Sequence, residues 1–286
     1  MPQHAPDQLV VTRATPEDWK VVSEWAAAEG WNPGLSDAAC FFAQDPDGFF
    51  IGRIDGEPVS AISVVNYSPD YAFLGFYLVR PDRRGHGHGL TTWKTALAHA
   101  GERTVGLDGV PAQQDNYRRS GFELAYRTSR FGGTVPAGGR PAPADVVPAE
   151  AAGLDALLAY DSACYPADRP EFLRHWLTAE GHRALARVVD GRVTGYGVIR
   201  PGLDAHRVGP LFADTAEDAR VLLDALTADL GGAPFAVDIP EINTEAVALA
   251  ESLGLTPSFD TARMYTGPIR DFSAPRVFGV TSLELG

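Results

Sequence analysis

Residues 71–100 read YAFLGFYLVRPDRRGHGHGLTTWKTALAHA, and their reading decides the fold. Tyr71 to Val79 is an apolar, aromatic-rich run of strand length. Pro81 ends it, because proline brings no N–H to a ladder. Arg84, Gly85, Gly87 and Gly89 follow within six residues. From Leu90 the pattern turns helical, with Leu90, Trp93 and Leu97 separated by polar residues and Gly101 as the stop. Strand, glycine-rich turn and helix start make an anion cradle. Glycines let several backbone N–H groups converge on one point, and the new helix turns its positive end there. Arg80, Arg83 and Arg84 add charge around it.

Two common phosphate motifs fail here. No Lys-Ser or Lys-Thr follows Gly89, as the phosphate loop G-x-x-x-x-G-K-[ST] requires, and glycines at 85, 87 and 89 do not have the G-x-G-x-x-G spacing. Arg84-Gly85-His86-Gly87-His88-Gly89 instead resembles the [QR]-x-x-G-x-[GA] pyrophosphate loop of the GNAT superfamily of acyl-CoA-dependent N-acyltransferases. The bland alternative is an ordinary strand–helix turn. A second resemblance follows: the strand-like run 104–110 leads into Tyr117-Arg118-Arg119-Ser120-Gly121-Phe122, similar to that superfamily's Y-x-x-x-G-F helix.

The resemblance implies acetyl-CoA as co-substrate, held by Leu78, Val79, Arg84, Gly85, His86, Gly87, His88, Gly89 and Leu90. His86 and His88 also read as a plain solvated pair. Strand amides near Leu78 or Val79 would hold the thioester oxygen as charge develops. Tyr117 would stand beside the sulfur; a phenol of ordinary pKa about 10 keeps its proton at neutral pH and can give it to a departing thiolate. A packing tyrosine is the alternative. The family often places a basic glutamate on the central strand, but residues 71–79 contain no acid. Asp108, on the next strand, is then the nearest carboxylate and Asp37 the second candidate; either also reads as a structural acid.

Upstream, residues 9–13 read as a strand, and Thr15-Pro16-Glu17-Asp18 opens a helix with a capping residue, a first-position proline and early acids, running to Glu29. Gly30 to Asp37 is a turn-rich loop, with Ser36 as the expected cap of a second helix. In GNAT folds this segment lines the acceptor side of the cleft, which makes Trp31, Asn32 and Asp37 substrate-binding candidates; a loop pinned by a buried tryptophan is the alternative. Residues 48–54 and 58–66 flank Asp55-Gly56, a hairpin turn.

Residues 132–148 are rich in Gly and Pro and without periodicity, a linker. The remainder repeats the plan: helices at 149–160 and 170–180, a hairpin of 184–189 and 193–200 about Asp190-Gly191, a strand at 208–212, a helix at 215–230, a strand at 235–239, a helix from Thr244 to Gly254, and a closing strand at 277–285. No arginine or glycine cradle follows Phe212. Asp214, Glu217 and Asp218 stand there instead, and Ala250 matches Tyr117. This half is therefore expected to have lost the cofactor and to shape the acceptor site. The fold class is α/β (α+β): two tandem GNAT-like domains, each a mixed, mostly antiparallel sheet flanked by helices. The expected division is 1–135 with the acyl-CoA site, 136–147 as linker, and 148–286 as the degenerate half.

Length, 286 residues, suits two cores. Lysine is limited to Lys20 and Lys94 against abundant Ala, Gly, Pro and Arg, a bias of GC-rich bacterial genomes. The net charge of −13 is uneven, with 13 basic and 16 acidic residues in 1–140 against 11 and 21 in 141–286. That balance argues against nucleic acid and tilts toward a small cationic amine. Cys40 and Cys164 have no metal-ligand spacing and the seven histidines no cluster, so no metal is expected. No signal peptide or membrane span is read, which implies a cytoplasmic protein, monomer or homodimer. The expected activity is acetyl transfer from acetyl-CoA to a small-molecule amine by direct attack. A longer acyl-CoA, an acyl carrier protein as donor, or a non-catalytic CoA-binding module are the alternatives.

Overall fold

The computed structural model describes residues 8–135 and 142–286, so the N-terminal run 1–7 and residues 136–141 of the expected linker lie outside the described residues. The first half runs β1 (Val10–Arg13), α1 (Asp18–Ala28), α2 (Asp37–Gln44), β2 (Phe49–Ile54), β3 (Glu57–Asn66), β4 (Tyr71–Val79), α3 (His88–Leu97), β5 (Thr104–Gly109), α4 (Gln114–Arg119) and β6 (Glu123–Gly133). The second runs β7 (Val146–Pro148), α5 (Ala149–Ala152), α6 (Leu154–Cys164), α7 (Pro170–Thr178), β8 (Arg183–Val189), β9 (Arg192–Arg200), β10 (His206–Ala213), α8 (Ala216–Thr227), β11 (Phe235–Pro240), α9 (Thr244–Ser252), β12 (Thr256–Tyr265) and β13 (Val277–Gly279).

Local chemistry explains most boundaries. Thr15 Oγ1 accepts from the Asp18 N–H (3.2 Å) and Asp18 Oδ2 from the Thr15 N–H (2.9 Å), a reciprocal cap that starts α1. Asp55 and Gly56 both have positive φ (50° and 85°), as a two-residue hairpin turn demands. Ser36 precedes α2 but its side chain makes no capping bond; Asp37 takes the Gly34 N–H instead (3.0 Å). The helix expected over 149–160 is two helices, broken at Gly153 with φ 86°.

The halves do not form separate sheets. Among the described residues the strands make one sheet of order β1-β2-β3-β4-β5-β12-β6-β11-β10-β9-β8-β7, with β13 beside β10. Two strands have changed places. β12, from the second half, pairs antiparallel with β5 (Arg263 opposite Asp108), and β6, from the first, pairs with β11 (Arg130 opposite Asp238). Ala262 and Met264 of β12 therefore pack in the first half's core with Leu107, Trp93 and Phe122, while Phe131 of β6 packs with Phe235, Val237 and Leu222. Each half's core is completed by the other's strand.

The exchange brings charge inside. Asp108 takes two hydrogen bonds from Arg263 (2.9 and 2.7 Å), and Asp238 is shared by Arg130 (2.8 Å) and Arg207. Burial pushes Asp238 up, but the two guanidinium groups outweigh it and hold the carboxyl at about 2. Cys40 and Cys164 are buried and unbridged, and burial pushes each thiol up to about 12, so neither is a nucleophile at neutral pH.

The two halves differ most where parallel strands diverge. β4 and β5 pair only from Tyr71–Leu74 against Thr104–Leu107, and β10 and β11 only from His206–Val208 against Phe235–Val237. In the second half the chain fills its own gap. β13 pairs with β10 (Leu211 opposite Gly279), and the Val280 N–H donates to the Asp238 carbonyl (2.8 Å). The strand expected over 277–285 thus stops at Gly279. Beyond it the tail turns inward toward β4, held at Leu285 O by the hydroxyls of Tyr67 (2.9 Å) and Tyr165 (3.0 Å). A Cβ at Gly75 would collide with the Glu284 carbonyl oxygen. Gly75→Ala is therefore expected to lose about 1–3 kcal/mol, the cost of overpacking a fixed backbone contact. Urea unfolding would read it, and an unchanged midpoint would show that the tail is free to move.

Candidate active site

The site begins with a defect in β4. Ser63 stands opposite Gly75 and Ala61 opposite Leu78, so two residues of β4, Phe76 and Tyr77, face only Ile62. Phe76 takes φ 47°, a left-handed conformation that a bulky side chain adopts at a cost of about 1–2 kcal/mol. Its ring is held edge-on by Trp19 (5.3 Å) and Phe41 (6.1 Å) in a fully packed core, which maintains the bulge. The break falls ahead of Leu78 and Val79, which keep their ladder partners Ala61 and Ser60. Phe76 and Tyr77 therefore carry the backbone freed from β3.

The cradle has the expected form. Gly85 and Gly87 take φ 81° and 83° with nothing near a would-be Cβ, so conformation alone requires glycine. At Gly89 the approach is close: a Cβ would lie 2.6 Å from the Tyr77 hydroxyl, so that ring would have to shift. Helix α3 begins after Gly87 with no side-chain cap, leaving its first amides to an outside acceptor. Arg84 donates from Nε to the Val79 carbonyl (2.9 Å) and pairs with Glu29, which ties the cradle to β4 and to the end of α1. The His86 and His88 rings stack at 5.8 Å, and Leu90 is exposed. The equivalent helix in the second half is closed to anions. Thr215 caps α8 by accepting from the Asp218 N–H (3.1 Å), and the Asp218 carboxylate sits at that terminus, bound to Arg187 (2.9 Å) and Thr194 (2.8 Å).

Between the diverging ends of β4 and β5 lies a cavity that takes Leu74 to Tyr77 from one strand, Leu107 and Asp108 from the other, and Tyr117 from α4. Tyr117 stacks on Trp93 (5.6 Å, 23°) and meets Phe122 edge-on, so its ring direction is fixed. Its hydroxyl has no hydrogen-bond partner among the described residues. Burial, with a smaller contribution from Tyr77, pushes the phenol well above its ordinary value, which favours the protonated form at neutral pH.

The far wall comes from the second half and the tail: Phe259 and Thr261 of β12, then Leu283 and Glu284. Of the loop candidates, Trp31 lines the cavity, fixed through its carbonyl by Arg130 (2.7 Å). Asn32 bonds the second half's backbone at Ala205 (3.0 Å) and Asp204 (3.1 Å). Asp37 is buried against Arg200 (2.8 Å) and the Gly34 N–H (3.0 Å). Both hold the loop and neither borders the cavity. Asp108 borders it, but both its oxygens are occupied by Arg263. Glu284 has no counterpart in the motif reading, although it is the one acid in the apolar run from Val277 to Leu285.

Comparison with known proteins agrees with this architecture. Residues 13–122 match the acetyltransferase (GNAT) family and residues 157–279 an acetyltransferase (GNAT) domain. The chain is 35% identical over 274 residues to a holothin acyltransferase of Pseudoalteromonas sp. (strain SANK 73390), covering 96% of this chain and 93% of that protein. Among solved structures it resembles a Pyrococcus horikoshii protein assigned as an acetyltransferase (TM-score 0.82, 21% identity, 99% of both chains). It also resembles a tandem GNAT protein from the clavulanic acid biosynthesis pathway (TM-score 0.63, 20% identity, 91% of this chain and 99% of that one).

Proposed function

This chain belongs to the GNAT acyltransferase family, and on that premise we propose that it transfers an acyl group, acetyl in the first instance, from acyl-CoA to the amine of a small molecule. The observation that carries the reading is Tyr117, a phenol whose hydroxyl has no partner among the described residues, lining the cavity between β4 and β5, with the uncapped, arginine-flanked start of α3 following the same β4.

These residues fit an acyl-CoA. The α3 amides and Arg84 suit its pyrophosphate, and the freed backbone of Phe76 and Tyr77 suits the amide-rich arm and the thioester oxygen. The amine nitrogen attacks the thioester carbonyl carbon, the C–N bond forms, the C–S bond breaks, and the Tyr117 proton goes to the leaving sulfur. In the second half the matching gap holds β13, and the matching helix is capped by Thr215 with the Asp218 carboxylate at its terminus, which supports one donor site per chain. The acceptor would enter between Trp31 and Phe259, whose aromatic faces suit a compact, flat amine; the related Pseudoalteromonas enzyme is named for holothin.

Calorimetric titration with acetyl-CoA tests this reading. Wild type is expected to bind near one equivalent. Arg84→Glu is expected to bind about 10–100-fold more weakly, the weight of a charge-assisted hydrogen bond to phosphate. Two equivalents, or undiminished binding by the variant, would overturn the site assignment.

A further inference from the structure

Six buried carboxylates stand out among the described residues, and five are saturated. Asp37, Asp108, Asp161, Asp218 and Asp238 each accept at least two hydrogen bonds from arginine, tyrosine, hydroxyl or backbone donors. Glu284, only 5% exposed, has no hydrogen bond or ion pair to its carboxylate among the described residues. A buried carboxylate without a hydrogen-bond donor costs stability, and here only the longer-range attraction of Arg130 and Arg207 offsets it. The tail is fixed on both sides of it. Arg169 bonds the Thr281 hydroxyl (2.8 Å), the Leu285 N–H bonds Ser282 Oγ (3.0 Å), and two tyrosines hold Leu285 O. The close contact at Gly75 sets its carbonyl against β4, one residue before the bulge. Glu284 borders the same cavity as Tyr117.

We propose that Glu284 is the catalytic base, delivered across the molecule by the C-terminal tail to the acceptor side of the cleft opposite Tyr117. The proposal rests on the acyltransferase reading. As the amine nitrogen bonds the thioester carbon, its surplus proton passes to a Glu284 carboxylate oxygen. As the C–S bond breaks, the Tyr117 proton passes to sulfur. Glu284 then releases its proton and Tyr117 regains one from solvent, so the net products are amide and thiol. The missing acid of β4 is thereby replaced from a segment more than 200 residues later in the chain.

The surroundings suit that role. Burial, with Asp37 and Asp238 adding negative charge, raises the Glu284 carboxyl above its ordinary value, while Arg130 and Arg207 pull against this. Both arginines already serve Asp238, and Arg263 serves Asp108, so no guanidinium locks Glu284 as Asp108 is locked. A base of raised pKa is a better proton acceptor and is ionised once the pH exceeds that value.

The test is Glu284→Gln, isosteric and able to keep the tail in place. With an acceptor whose amine stays neutral across the range, wild-type kcat/KM is expected to rise with pH through an acid limb above the ordinary glutamate value. The variant is expected to lose about 10²–10⁴-fold in kcat together with that limb, while acetyl-CoA binding by calorimetry is unchanged. Glu284→Asp keeps the carboxylate about one methylene short, so it is expected to keep the acid limb and lose up to about 10²-fold; it carries the test should the glutamine variant not fold. A glutamine variant within about threefold of wild type, acid limb intact, would overturn the proposal. A wild type that neither binds acetyl-CoA nor turns over would overturn the acyltransferase reading first, and the proposal with it.

Discussion

Asp238→Asn is expected to cost about 3–5 kcal/mol of stability, the largest effect of any single change in the exchanged sheet. Asp238 is 2% exposed and neutralises Arg130 and Arg207, which are themselves buried. Asparagine keeps the shape and one acceptor but leaves two guanidinium groups without their hydrogen-bonded counter-charge, with only the more distant Glu284 to offset them, in a medium that solvates them poorly. The effect is expected to resist salt, because a buried pair is screened little. The half-exposed pair Arg118–Asp115 serves as control, and Arg118→Ala is expected to change stability by less than about 1 kcal/mol. The pH dependence has a defined sign. With Asp238 held at about 2 in the folded chain and near 3.9 when unfolded, its contribution is complete above about pH 4 and fades as the pH falls toward 2. The gap between wild type and variant, measured by urea unfolding, should narrow over that interval. A loss under about 1 kcal/mol at neutral pH would mean that the exchanged strands are held by apolar packing alone.

Tyr117→Phe is expected to lower kcat by about 10²–10⁴-fold while leaving acetyl-CoA affinity and the melting temperature near wild type. The dissociation follows from the hydroxyl having no partner among the described residues: its removal breaks no hydrogen bond there and leaves the stacking on Trp93 unchanged. Since burial raises the phenol well above its ordinary value, the wild-type basic limb should lie beyond about pH 10. A variant that turns over at more than about a third of the wild-type rate would transfer the proton-donor role to water.

What was legible in the sequence was local. Arg84 to Gly89, the Asp55-Gly56 turn and the Tyr117 helix are set by backbone conformation and near-neighbour packing, and each is where its residues point. The exchange was not legible, because β6 and β12 do not resemble central strands. Arg130 and Arg263 interrupt their apolar pattern and read as surface residues until Asp238 and Asp108 are seen opposite them. Asn32 and Asp37 had the composition of a binding loop, yet their partners, Ala205 and Arg200, lie more than 160 residues away and turn both into fasteners. Glu284 was hidden for a related reason. A strand reading of 277–285 placed it in a ladder, whereas the chain leaves β10 after Gly279.

The strand exchange also fixes an order of events during synthesis. β5 has no neighbour on its outer edge until β12 exists, and Arg263 follows Asp108 by 155 residues. At about 5–20 residues per second, the first half waits on the order of ten seconds with an open strand edge and an unpaired Asp108. An open edge is a template for another chain. Crowded on one messenger, two nascent copies can trade β12 and close as a reciprocal pair, each completing the other's sheet. Slower translation and higher expression are therefore expected to raise the share of this protein recovered as reciprocal pairs, which size-exclusion chromatography would read.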